Sequence, residues 1–154
     1  MVALGCSHMG GVGTLAVVDD GVKINQVSYL RIFNNYYMPD MFEHFGGQGG
    51  VFQQDGASPH NASRVVEEIK ESTKLLSPWP ANSPDLNPLD YTVWGIMAQR
   101  VQQLKPSNKV ELAVAIRKAH ASLTKTEIQT AIDQFPRRIN LVIQEKGKVF
   151  EYKM

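Results

Sequence analysis

Pro78, Pro80, Pro84 and Pro88 crowd the single segment Ser77 to Pro88, and they constrain the fold more than any other stretch of the chain. A proline has no amide proton for a strand ladder or a helix interior, so this segment is predicted to loop without regular structure. It separates two kinds of pattern. Ahead of it, short apolar runs alternate with stripes of helical period, and after it only helical stripes remain.

The runs Val2 to Cys6 and Thr14 to Val18, separated by Gly10, Gly11 and Gly13, predict a pair of strands joined as a hairpin, with Asp19, Asp20 and Gly21 closing the second. Tyr29, Ile32, Phe33, Tyr36 and Tyr37 recur at spacings of three and four, which predicts an amphipathic helix within 26–45, broken near Pro39. The glycine-rich Gly46 to Gly50 reads as a loop. It feeds a buried strand at Val51 to Gln54, followed by a helix over Asn61 to Ser72 with Val65, Val66 and Ile69 on one side and a short strand at Lys74 to Leu76. Beyond the prolines, Leu89, Val93, Met97, Val101 and Leu104 mark a helix that stops before Pro106. Two more helices are expected near Lys109 to Leu123 and Thr126 to Glu145. This order implies an α/β domain with helices packed against a sheet.

A chain of 154 residues suits one domain with a real core. The expected parts are a strand pair over 1–24, a core over 25–105 and carboxyl-terminal helices over 106–154. A net charge of +1 provides no broad basic field for DNA, so any nucleic-acid contact falls to a local patch. Arg137 and Arg138, with Lys146 and Lys148, are the candidate patch. Cys6 is the single cysteine, which excludes an internal disulfide and a cysteine zinc site and makes a reducing compartment the default. No apolar run is long enough to span a membrane and the first residues do not resemble a secretory signal, so a nuclear or cytoplasmic location is expected.

Two carboxylates stand out. Asp55 closes the apolar run from Val51, Asp90 follows Asn87 and Pro88, and 34 residues lie between them. Each has a plain structural explanation. Asp55 with Gly56 makes an ordinary strand-ending turn, and Asp90 falls at the third position of a helix capped by Asn87, where a carboxylate favours the dipole by roughly 0.3–1 kcal/mol. His60 by itself reads as a polar residue at a loop or helix start. Gly11 to Ala16 matches a relaxed dinucleotide fingerprint, but that motif needs its glycines to open a helix, and here a strand is expected.

Considered together, the segments say more. QQDGASPH, Gln53 to His60, and WPANSPDLNPLDYTVW, Trp79 to Trp94, resemble the blocks around the second and third catalytic acids of mariner-type transposases, in the mariner/Tc superfamily of RNase H-like integrases. The 34-residue gap with aspartate in third place is similar to the mariner pattern. Weaker similarity covers nearly the whole chain, including Phe135 to Arg138 and Gly147. The resemblance implies an RNase H-like mixed sheet flanked by helices. It also implies Mg²⁺-dependent (or Mn²⁺-dependent) DNA strand cleavage and transfer, with Asp55 and Asp90 as catalytic acids and metal ligands, in the nucleus, on DNA, as a homodimer and without an organic cofactor. Asp85 lies in the same block but is not carried over as a ligand.

The chemistry suits those residues. In-line attack on a phosphodiester needs charge neutralised on the entering and leaving oxygens, and Mg²⁺ takes hard oxygen ligands. Against the family pattern, the chain is expected to start at the second strand, without the first, central strand and its aspartate. Any metal is then expected to be weakly held and the chain inactive. The alternative is a non-catalytic, nucleic-acid-binding or interaction remnant of a transposase. A third reading, paired carboxyls acting as acid and base on a sugar, needs one carboxyl in an apolar setting, which Gln53, Gln54, Asn82 and Asn87 do not suggest.

Overall fold

The computed structural model describes residues 2–6, 11–18, 21–45 and 50–154. Apart from residues 11–12, which group with the second, their backbone falls into two compact units that divide at Asn82 and Ser83, inside the proline-rich segment. The turns expected at Gly10, at Asp19 and Asp20, and over most of Gly46 to Gly50 lie outside the described residues.

The first unit contains β1 (Val2–Cys6) paired with β2 (Val12–Val17). The glycines at 11 and 13 therefore open a strand, which removes the context a dinucleotide fingerprint needs. Helix α1 (Gln26–Ile32) starts at a capping box in which the Asn25 side chain accepts from Val27 and Ser28 amides and Ser28 Oγ accepts from the Asn25 amide. The break expected at Pro39 is instead a π-helical stretch, Phe33–Tyr37, that leads straight into α2 (Met38–Phe45). Proline cannot donate back along the helix and its ring crowds the carbonyl four residues earlier. The wider turn, with the Met38 amide donating to Phe33 O, carries the chain past that obstacle without ending the helix. The widening also changes which side chains face inward: Tyr29, Leu30, Ile32, Phe33 and Tyr37 are buried, whereas Tyr36, placed on the inner face by simple periodicity, is exposed.

β3 is shorter than expected, Val51–Phe52 rather than Val51 to Gln54, and Val51 is exposed rather than buried. It runs parallel to β4 (Lys74–Leu75) in register Val51 with Lys74 and Phe52 with Leu75. Between them, α3 (Ser63–Ser72) sends Val65 and Ile69 into the core, with Ala16 and the α1 side chains around them. Burial of each such aliphatic side chain contributes roughly 1.5–3 kcal/mol, enough to fix a two-residue strand pair that could not stand alone. Phe52 joins this core edge-on to Phe33, with centroids 5.1 Å apart. Among the described residues the strands form two two-stranded sheets.

The second unit is helical. A short 3₁₀ turn, Pro84–Leu86, precedes a helix that begins at Pro88, passes through a π stretch at Leu89–Val93 and continues as α4 (Trp94–Leu104). Lys105, in the left-handed region at φ 48°, ends it before Pro106. α4 packs on α5 (Lys109–Ala121), where Ala115 and Ala119 are buried together with Met97. The single helix expected from Thr126 to Glu145 is two, α6 (Lys125–Asp133) and α7 (Phe135–Gln144). Pro136 explains the difference, since it is tolerated in the first turn of a helix but not inside one. Among the described residues no helix is long and apolar enough to cross a membrane.

Candidate active site

Asp55 stands three residues beyond the end of β3, on a loop that is tied to the core before and after it. Leu76 N donates to Phe52 O at 2.9 Å and Thr73 Oγ1 to Gly50 O at 2.9 Å, which fixes the strand that leads into it. Gln54 is buried at 9% exposure, and both ends of its amide are used: Oε1 accepts from the Tyr29 hydroxyl at 2.8 Å and Nε2 donates to His60 O at 3.0 Å. Tyr29 keeps its proton well past the ordinary tyrosine range. Burial is the main cause, with the neighbouring Tyr37 and the Asp55 charge adding to it.

The Asp55 carboxylate is held on one oxygen. Oδ1 accepts from the Ala57 amide at 3.0 Å and lies 2.5 Å from His60 Nδ1. Among the described residues Oδ2 has no hydrogen-bond partner, and the side chain is 47% exposed. The Ala57 bond is the aspartate turn that the residue types alone suggest. Gly56 is not in the left-handed region, so the tight-turn explanation does not require a glycine there. The rest of the loop is laced to itself by Asn61 Nδ2 to Gly56 O at 3.0 Å and by His60 N to Ala57 O at 2.9 Å.

Asp90 belongs to the second unit. Asn87 caps its helix as expected, with Oδ1 accepting from Leu89 N at 3.2 Å, and Asp90 N donates to Asn87 O at 2.9 Å. The carboxylate is exposed, one residue from Tyr91 and within the π stretch, a local widening that often accompanies functional positions. Tyr91 is fastened: its hydroxyl donates to Ala131 O at 2.6 Å, and the Arg138 guanidinium lies 3.8 Å from its ring centroid. Arg138 Nη1 also donates to Asp85 O at 2.8 Å, and Glu151 approaches at 4.0 Å.

The four candidate basic residues therefore part company. Arg138 is buried at 7% exposure and grips the segment that carries Asp90, whereas Arg137, Lys146 and Lys148 are exposed. Lys146 and Gly147 both adopt positive φ, and Gly147 N returns to Val142 O at 2.9 Å to close α7. Cations there also suit the negative end of the helix dipole, which is their structural explanation.

Reading residues one at a time misses Tyr29, Gln54 and His60 around Asp55, and the inward role of Arg138. The available signal was local: a glutamine directly before the aspartate and a histidine five positions after it, in one loop. Among the described residues no group of three or more His, Cys, Asp or Glu side chains gathers as a metal ion needs. The donor type nevertheless suits a hard cation, since Asp55 offers an open carboxylate oxygen whose partner oxygen is anchored.

No protein-family model matches the chain. Over 106 residues it is 32% identical to the transposable element Tcb1 transposase of Caenorhabditis briggsae, covering 69% of this chain and 38% of that protein. Over 148 residues it is 28% identical to the transposable element Tc1 transposase of Caenorhabditis elegans, covering 96% and 53%. The chain is a homologue of the Tc1/mariner transposases. It spans about half the length, or less, of these curated relatives. The solved catalytic domain of Mos1 mariner transposase matches 93% of the chain with a TM-score of 0.79 at 23% identity, covering 72% of that chain. The Mos1 mariner paired end complexes with Mn and with Mg match 93% of it with a TM-score of 0.81, at 21% and 22% identity, covering 43% and 42% of those chains. These likenesses give the Tc1/mariner homologue the RNase H-like α/β fold that its two acidic blocks suggested.

Proposed function

We propose that the chain is the catalytic portion of a DNA transposase of Tc1/mariner type, with Asp55 and Asp90 as metal-ligating acids of a strand-cleavage and strand-transfer site. One observation carries this reading most: on a fold shared with a transposase catalytic domain, Asp55 presents an anchored carboxylate with one free oxygen at the head of its block. Asp90, on an exposed helical start pinned by Asn87 and by the Arg138 and Tyr91 stack, is the second acid. Bound Mg²⁺ or Mn²⁺ supplies charge neutralisation on the entering and leaving oxygens of a phosphodiester. The residues of this chain orient that chemistry. Tyr29, Gln54 and His60 fix Asp55, and Arg138 fixes the backbone before Asp90. DNA is the partner, two copies of the chain pair two DNA ends, and the nucleus is the place of action.

Two acids are an incomplete donor set, and among the described residues no group of three or more His, Cys, Asp or Glu side chains gathers. This chain by itself is expected to nick supercoiled plasmid weakly or not at all with Mg²⁺ or Mn²⁺, and any nicking is expected to vanish in Asp55→Asn and in Asp90→Asn. Robust cleavage that survives either substitution would sink the assignment.

A second reading, nucleic-acid binding without catalysis, draws on the exposure of Arg137, Lys146 and Lys148. If these residues neutralise phosphates, replacing all three with alanine lowers the slope of log affinity against log salt by about 0.9 for each phosphate left without its cation. An unchanged slope removes the patch from the interface.

A further inference from the structure

We propose that His60 is a positioning residue for Asp55, holding Oδ1 so that Oδ2 is the oxygen presented to a divalent cation. The inference rests on Asp55 being a metal ligand. An ionised carboxylate has no proton to give, so in the 2.5 Å contact the Nδ1 of His60 is the donor, whether or not the ring carries a second proton. With the Ala57 amide on the same oxygen, Oδ1 is doubly bonded by donors and Oδ2 is open. The turn alone needs only Ala57. The imidazole is an additional restraint, and the structure around it is built to hold it.

One contact holds the ring itself and two more brace the backbone that carries it. The ring lies against Tyr29 with centroids 4.0 Å apart, the His60 carbonyl accepts from Gln54 Nε2, and Gln54 Oε1 accepts from the Tyr29 hydroxyl. The side chain is 20% exposed, so it is largely enclosed while the carboxylate it holds reaches solvent. Restraint therefore passes from the buried face of α1 through Tyr29 and Gln54 to His60, and from His60 to Asp55. A ligand oriented in this way binds without first losing rotamer freedom, and removing such outer partners commonly weakens metal affinity by about 10–100-fold.

The test is a Mn²⁺ titration followed by electron paramagnetic resonance on the 154-residue chain and on Asp55→Asn, His60→Ala, His60→Asn and His60→Gln, each checked for fold by circular dichroism. The asparagine amide stands where Nδ1 stood, whereas the glutamine amide reaches where Nε2 stood. Expected are weak saturable binding by the unsubstituted chain, about 10–100-fold weaker binding in His60→Ala and His60→Gln, and recovery in His60→Asn. If Asp55→Asn weakens binding while His60→Ala and His60→Gln do not, the positioning role is overturned and the ligand assignment stands. If Asp55→Asn changes nothing, or the unsubstituted chain binds no Mn²⁺, both fall. Should His60→Ala fail to fold, the contrast between His60→Asn and His60→Gln decides, and equal affinities for the two overturn the proposal.

Discussion

A phenol in the core can keep a loop in place only while it stays protonated, and Tyr29 is in that position. Its hydroxyl donates to Gln54, and burial, followed by Tyr37 and the Asp55 charge, raises its pKa above the usual 10.0. A folded pKa above the unfolded one means that the stability from the neutral phenol is complete below pH 10.0 and is lost as pH rises beyond it. Tyr29→Phe is expected to cost about 1–2 kcal/mol at neutral pH, because Gln54 Oε1 loses its donor. It is also expected to shed less stability between neutral and strongly alkaline pH, as read by urea midpoints at both. Equal alkaline losses in the two proteins would show that Tyr29 does not ionise on that limb. Residue types marked Asp55 and Asp90 correctly as turn and helix-start positions, since Ala57 N and Asn87 meet them as turn and cap chemistry require. The roles of His60 and Arg138 were not legible, because each depends on a partner from another element: the Tyr29 ring for one, Asp85 and Tyr91 for the other.

Elements are decided by their ends. The start of α6 is a capping box in which Glu127 Oε2 accepts from the Thr124 amide at 2.9 Å and hydroxyl at 3.0 Å, while Oε1 meets Arg100 at 2.5 Å. Partial burial pushes the Glu127 pKa up, but the Thr124 bonds and the Arg100 charge outweigh it and leave the carboxyl below its usual 4.5. A depressed folded pKa contributes stability above pH 4.5 that is lost as pH falls below it. Glu127→Gln is therefore expected to lower thermal stability at neutral pH and to flatten its decline on acidification, and a decline as steep as that of the unsubstituted chain would contradict this. Thr124→Ala is expected to cost about 1 kcal/mol at neutral pH, read from the urea midpoint. Helix stripes were legible wherever spacing alone carried them, as in Val93 and Met97. They failed at prolines: Pro39 produced a π turn that put Tyr36 outside, and Pro136 started a new helix where one long one was expected. The buried strand Val51 to Gln54 shrank to two residues because Gln54 is buried by side-chain hydrogen bonds and not by a ladder.

At the scale of the molecule, the α/β class was legible in the order of apolar runs and helical stripes, and the transposase likeness in two short blocks, Gln53 to His60 and Trp79 to Trp94, that resemble those of a known family. The division into two compact units was not, although it falls within the proline-rich segment Ser77 to Pro88. Asp55 belongs to one unit and Asp90 to the other, and the reading proposed above makes each of them a metal ligand. Fe²⁺ replacing Mg²⁺, with ascorbate and peroxide, cuts backbone next to wherever it is bound, and the cut sites can be mapped by mass spectrometry. Cuts are expected near residues 55 and 90 and suppressed by excess Mg²⁺, those near 55 being lost in Asp55→Asn and those near 90 in Asp90→Asn. Cuts near only one of them, or cuts that persist when the aspartate beside them is replaced, would contradict the assignment of both as metal ligands.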